Sequence, residues 1–179
     1  MVTKVDKDLK QHIRSITDFP KKGIVFRDIT TLLKNKTAFQ KSIDILYEHF
    51  KNVRIDKVVS VESRGFIFGS ALAYRLDAGF VPIRKPKKLP SKTIRQEYQL
   101  EYGTDALEIH TDAIEKGENV LVIDDLLATG GTITAACDLV KKLGGNIVGV
   151  AFLIELSFLN GRDKLKDYNI YSMITYDAE

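Results

Sequence analysis

The densest chemistry in this 179-residue chain lies in Val120-Leu121-Val122-Ile123-Asp124-Asp125-Leu126-Leu127-Ala128-Thr129-Gly130-Gly131-Thr132. Four apolar residues run into two adjacent carboxylates, and a loop of small and hydroxyl residues then opens a helix. Gly130 and Gly131 let the backbone approach a ligand closely and take up angles that are costly for other residues. The backbone N–H groups from Ala128 to Thr132, with a helix N-terminus behind them, form a phosphate cradle to which Thr129 and Thr132 add hydroxyl donors. The loop is not a Walker A sequence, because no Lys follows the glycines, and it lacks the G-x-G-x-x-G spacing of dinucleotide sites. A lone Gly-Gly reads as a tight turn, and a lone acid pair as a solvated strand end. Together they describe a phosphate site with carboxylates upstream, placed to hold hydroxyls. A sugar phosphate carries both groups.

Cations gather nearby. Glu62-Ser63-Arg64-Gly65 follows a short β-branched run, and Arg64 offers a planar fork of donors to phosphate oxygens. From Ala78 to Gln96 there is no Asp or Glu, yet Arg84, Lys85, Lys87, Lys88, Lys92 and Arg95 all fall there. Such a local positive field attracts polyanions, whether a phosphorylated small molecule or RNA.

An alternation of strands and helices must position these groups. Lys57–Val61, Phe80–Ile83, Asn119–Ile123, Ile147–Leu156 and Ile170–Tyr176 read as strands, the second an edge strand because of Pro82. Phe39 to Phe50, Ile67 to Leu76 and Thr132 to Leu143 have helical spacing, the last closed by Gly144-Gly145. Val5, Leu9, Ile13 and Ile16 predict a further, N-terminal helix, and Phe19 to Asp28 reads as irregular. Thr93–Leu100 and Asp105–Ile109 flank Glu101-Tyr102-Gly103-Thr104 as an antiparallel hairpin or flap. The fold class is therefore α/β, a mostly parallel central sheet with helices on both faces. In such sheets ligands bind beyond the carboxyl ends of the strands. Both the acid pair and Arg64 lie at that edge.

Composition narrows the classes. Apolar residues make up 44% and charged residues 28%, as in an ordinary soluble domain, and the length suits one domain. No apolar run approaches the roughly 20 residues that cross a bilayer. The N-terminus mixes acids and bases where a signal peptide needs an apolar stretch, so nothing points to secretion and no membrane association is expected. A single cysteine, Cys137, cannot form an internal disulfide, and three scattered histidines offer no zinc spacing. Any metal is expected to be a hard, oxygen-liganded ion arriving with its substrate. A net charge of +3 gives no argument for nucleic acid as a partner.

The thirteen-residue stretch closely resembles the phosphoribosyl pyrophosphate (PRPP) signature of the type I phosphoribosyltransferases. That resemblance implies a parallel sheet with a smaller hood (about 1–35), a core (about 36–179) and a flexible hairpin flap (about 93–109), all one domain over 1–179. It implies that Asp124 and Asp125 hold the ribose hydroxyls, that Ala128, Thr129, Gly130, Gly131 and Thr132 grip the 5′-phosphate, and that Ser63, Arg64, Arg84, Lys85 and Lys88 serve the pyrophosphate. Five ordered pieces narrow it to the adenine phosphoribosyltransferase family: Phe19-Pro20 with Gly23–Ile29, Glu62–Phe66, Arg84-Lys85 with Lys88-Leu89-Pro90, Leu100–Gly103, and the signature loop. In that resemblance Phe26 stacks on the purine, and backbone groups at Val25 and Arg27 meet its edge. A backbone carbonyl there accepts from an exocyclic amine and leaves an oxo group unpaired, which discriminates strongly. Glu101 is the candidate for proton transfer and Tyr102 for loop closure. Mg²⁺ held mainly by substrate, adenine and PRPP as substrates, AMP and pyrophosphate as products, and a cytoplasmic homodimer in purine salvage are likewise implied. The rival readings are an oxopurine or orotate enzyme with the same signature, and a PRPP-sensing regulator that binds nucleic acid.

Overall fold

Val58, Val59, Val120 to Ile123 and Val150 to Ile154 are at most 1% exposed, because each belongs to a strand covered on both faces. The computed structural model describes residues 8–99 and 103–178. Its strands in chain order are β1 (Arg14–Ile16), β2 (Phe26–Asp28), β3 (Lys57–Val61), β4 (Gly79–Ile83), β5 (Thr93–Gln99), β6 (Thr104–His110), β7 (Asn119–Leu127), β8 (Asn146–Leu156) and β9 (Ile170–Tyr176). The helices are α1 (Thr30–Leu33), α2 (Lys36–Phe50), α3 (Gly65–Arg75) and α4 (Gly131–Lys142), with 3₁₀ turns at Ser157–Leu159 and Gly161–Leu165.

The central sheet has five strands in the order β4-β3-β7-β8-β9, all parallel. Pro82 does lie on its edge strand. Side chains alternate across it: Val58, Leu121, Ile123 and Ala151 pack with Leu46 and Phe50 of α2 and Phe68 and Leu72 of α3. Val59, Val61, Val120 and Val122 pack on the other face with Ile133, Ala136 and Leu139 of α4. The period of two thus divides the core between two layers of helices. Helix α2 starts where the Asn35 side chain accepts the Ala38 N–H at 3.0 Å, and it buries Ala38, Ile43, Leu46 and Phe50.

Three expectations need correction. Ile16 is not helical: residues 8–10 are, but Arg14–Ile16 pairs antiparallel with Phe26–Asp28. The helical spacing of Leu9 and Ile13 carries no force past the point where Arg14 pairs with Asp28 across the two strands. The segment expected to be irregular thereby supplies β2. Strand β7 runs four residues beyond Ile123, through the acid pair to Leu127. The hairpin has the expected pairing, Gln99 opposite Thr104, but its base belongs to the core. Ala106, Leu107 and Ile109 are at most 2% exposed, and a bridge between Arg84 and Glu108 ties β6 to the end of β4.

Candidate active site

Strand β3 ends at Val61, and its pairing with β7 stops at Ser60–Ile123, while β7 continues to Leu127 with β8 alone as its neighbour. The mismatch opens a notch at the carboxyl edge. A cavity of about 360 Å³ fills it, lined by Val61–Arg64 from one strand end and Asp124–Ile133 from the other. Small-molecule sites have roughly this size. Gly65 opens α3 against the notch, where an added Cβ would stand 2.6 Å from Asp124 Oδ1 and 2.7 Å from Ser60 Oγ. The glycine is there for close approach rather than for a turn. Gly130, with φ of +79°, is the left-handed residue that turns the chain into α4. The first N–H groups of that helix have no intrahelical acceptors, and they border the cavity.

Charges in the notch are paired. Arg64 Nε lies 2.9 Å from Asp125 Oδ2, and the Asp125 N–H donates to Asp124 Oδ1 at 2.9 Å. Burial pushes both carboxyls above their ordinary range, Asp124 well above, since the Asp125 charge adds to the effect. The Arg64 guanidinium works in the opposite direction on both. Arg64 also lies 5.2 Å over the Phe26 ring, so one side chain touches the acid pair and the N-terminal strands. Phe19 packs edge-on to Phe26 at 5.2 Å.

The other sites predicted from the sequence are distributed around this centre. Ala128, Thr129, Gly130, Gly131, Thr132 and Ser63 line the cavity. Arg84, Lys85 and Lys88 follow β4 at the same edge but do not line it. Arg84 Nε donates to Glu62 Oε2 at 2.7 Å, the Lys85 N–H to Glu62 Oε1 at 2.9 Å, and Arg84 Nη1 to the Lys88 carbonyl at 3.1 Å. Lys85 Nζ reaches Asp105 at 2.9 Å. Val25 and Arg27 lie in and just before β2, outside the cavity lining. The Arg27 side chain turns toward the C-terminal strand, 4.0 Å over the Tyr176 ring. Glu101 and Tyr102 lie outside the described residues.

Some of the residues that organise the notch carry no role in the sequence reading. Glu62 fastens the basic stretch to the end of β3. Asp105 holds Lys85 and accepts from the Tyr98 hydroxyl at 3.4 Å. Glu62 sits beside Arg64 in the sequence and could have been noticed. Asp105 could not, because only the hairpin register brings it to Lys85.

A doubly covered parallel sheet with an acid pair and a loop of small and hydroxyl residues at one strand exit is the arrangement of the phosphoribosyltransferase class, and the phosphoribosyl transferase domain profile matches residues 28–178. An adenine phosphoribosyltransferase of Koribacter versatilis is 62% identical over 94% of this chain and 93% of its own. A crystal structure of the Thermoanaerobacter pseudethanolicus enzyme of that name superposes with a TM-score of 0.93 at 54% identity, over 95% of this chain and 99% of the other. The Saccharomyces cerevisiae adenine phosphoribosyltransferase, solved with an imino-altritol bisphosphate and adenine, gives a TM-score of 0.89 at 42% identity, over 94% and 98% of the two chains. The chain belongs to the adenine phosphoribosyltransferase family.

Proposed function

We propose that the notch binds PRPP and that the chain transfers its phosphoribosyl group to adenine, giving AMP and pyrophosphate in purine salvage. The observation that carries this is the single cavity shared by Arg64, Asp124, Asp125 and the Ala128–Thr132 loop. The loop takes the 5′-phosphate with its free N–H groups and hydroxyls. Asp124 and Asp125 accept from the ribose hydroxyls, and their negative charge stabilises the ribose as the C1′–pyrophosphate bond loosens. Arg64, with Ser63, takes the departing pyrophosphate, and Arg84, Lys85 and Lys88 move to it from Glu62 and Asp105. Adenine N9 then bonds to C1′ and loses its proton, for which Glu101 is the proposed acceptor. Phe26 supplies the flat face for the purine, the backbone at Val25 and Arg27 its edge contacts, and Tyr102 closes the loop over the site.

The donor set fits Mg²⁺. Asp124 and Asp125 are hard oxygen donors, and among the described residues no group of three or more His, Cys, Asp or Glu is placed to hold an ion. Oxygens of PRPP would be its main ligands. When bound, the ion would neutralise charge on the pyrophosphate. The same reading treats 1–179 as one domain, with a hood over about 1–35, a core over about 36–179 and a closing flap over about 93–109. A homodimer and a cytoplasmic address belong to it too, and sedimentation of the purified chain tests the first. No helix among the described residues is long and apolar enough to cross a membrane.

The assay is direct. Protein, Mg²⁺ and PRPP are mixed with adenine, hypoxanthine, xanthine, guanine or orotate, and nucleotide and pyrophosphate are measured. AMP from adenine alone is the expected result. Preference for an oxopurine or orotate would overturn the base assignment, and no nucleotide from any base would overturn the reaction.

A further inference from the structure

The phosphate loop does not rest on its own helix alone. It also touches the second 3₁₀ turn, and the contact is backbone against backbone. A Cβ added to Gly161 would stand 2.2 Å from the Ala128 carbonyl oxygen and 2.9 Å from Leu127 Cδ1. A Cβ added to Gly130 would stand 2.6 Å from the Gly161 carbonyl oxygen. Neither chain can retreat cheaply, because the Gly130 carbonyl also accepts from the N–H and hydroxyl of Thr134 at 3.0 and 2.7 Å.

An ion pair between a buried carboxylate and a half-exposed arginine fixes the turn. Glu155, next to the end of β8 and opposite Leu127 in the sheet register, is only 4% exposed. A carboxylate so enclosed is costly without a partner. Arg162 supplies one in a two-pronged grip, Nε and Nη2 donating to Oε1 and Oε2 at 2.6 and 2.7 Å, with Nη2 also 3.3 Å from Ser172 Oγ on β9. These bonds hold the Glu155 carboxyl below its ordinary range despite the burial. Fully buried Leu165 anchors the far end of the turn. Two adjacent residues thus do separate jobs: Arg162 grips the sheet and Gly161 meets the loop.

We propose that this turn is the rear wall of the 5′-phosphate cradle, with Gly161 the positioning residue and the Glu155–Arg162 pair its clamp. The proposal rests on the assignment of Ala128–Thr132 to the 5′-phosphate. Moving that backbone re-aims the N–H donors without removing one. The consequence is selective, because PRPP and AMP carry the 5′-phosphate while adenine and pyrophosphate do not.

The test is steady-state kinetics in both directions for Gly161→Ala and for Arg162→Lys, which keeps the charge but loses the fork. Gly161→Ala should raise KM for PRPP and for AMP by about tenfold or more, since displacements near 1 Å can cost that much. KM for adenine and pyrophosphate should hold at the wild-type value. Arg162→Lys should give the same pattern at smaller amplitude, and it carries the test if Gly161→Ala does not fold. Wild-type values for all four substrates, or a fall in kcat with all four KM values unchanged, would overturn the positioning role. A rise for PRPP and pyrophosphate without AMP would instead overturn the loop assignment while leaving the contact between turn and loop intact. Circular dichroism melts accompany both variants.

Discussion

The carboxyl edge of the sheet and the N-terminal strands meet at Arg64, yet they are built differently. Asp124 and Asp125 project from the middle strand of a five-stranded sheet, and Asp125 is 6% exposed. The loop after them is enclosed by α4, the end of β5 and the Gly161 turn. The N-terminal strands are three residues each and join each other alone, and Phe19 and Ile24 between them are 51% and 39% exposed. They are held by the Arg14–Asp28 pair at 2.5 Å, by Arg64 over Phe26 and by Arg27 over Tyr176. The difference follows from what each region is proposed to bind. Charge is stabilised only by donors fixed in advance in a dry site, whereas stacking on a base needs little more than a flat face.

Asp125→Asn tests the rigid side and carries the largest expected effect. Turnover should fall by about 10²–10³-fold, the loss typical when one preorganised polar group is removed from a reacting site. The protein should remain folded and melt no lower at neutral pH. Because burial raises the folded-state pKa, the native state keeps protons that the unfolded state has released, and stability declines as pH rises through that window. The amide removes the penalty. Near-normal turnover would remove Asp125 from the site.

Phe26→Ala tests the other side. KM for adenine should rise about tenfold to a hundredfold, the range for loss of one base–aromatic stack, while KM for PRPP moves little. Equal rises in both would show that the two regions act as one.

The contrast also marks what could be read from the sequence. The rigid edge was legible because the strand period, the acid pair and the glycines fall within thirteen consecutive residues. Local spacing there dictates local structure. The N-terminal strands were read partly as helix, because apolar residues at Ile13 and Ile16 satisfy a helical period while Arg14 has its partner fourteen positions away. Asp105 and Arg162 escaped notice for a related reason. Their partners become neighbours only through the hairpin register and the 3₁₀ turn, and an isolated Asp or Arg reads as a solvated charge. Glu62, which holds Arg84 and the Lys85 N–H, lies two residues before Arg64 and was within reach of a local reading.

Arg64→Gln probes the junction between the regions. Binding of ribose hydroxyls by ionised carboxylates requires the acid pair to be deprotonated, so kcat/KM for PRPP should fall as pH drops through their raised pKa values. Arg64 is the cation that opposes the effect of burial. Its removal should move the acid limb of the profile to higher pH, and the position of that limb is informative even where its height falls through weaker pyrophosphate binding. A limb that does not move would mean that Arg64 and Asp125 are not paired in the working enzyme.

Tyr176→Leu should have the smallest effect and makes the finest division. Tyr176 lies under two cations, with the Arg27 guanidinium at 4.0 Å and Lys10 Nζ at 4.9 Å, so β9 holds the N-terminal strands by stacking rather than by strand pairing. Exposed cation–π contacts contribute about 0.5–1 kcal/mol, which corresponds to a change of roughly two- to fivefold. Leucine preserves the apolar contact and removes the ring quadrupole, so KM for adenine should rise by that factor with kcat and KM for PRPP unchanged. A rise as large as that of Phe26→Ala would make the C-terminal strand part of the base site. No rise at all would mean that Arg64 and the Arg14–Asp28 pair suffice to hold Phe26 in place.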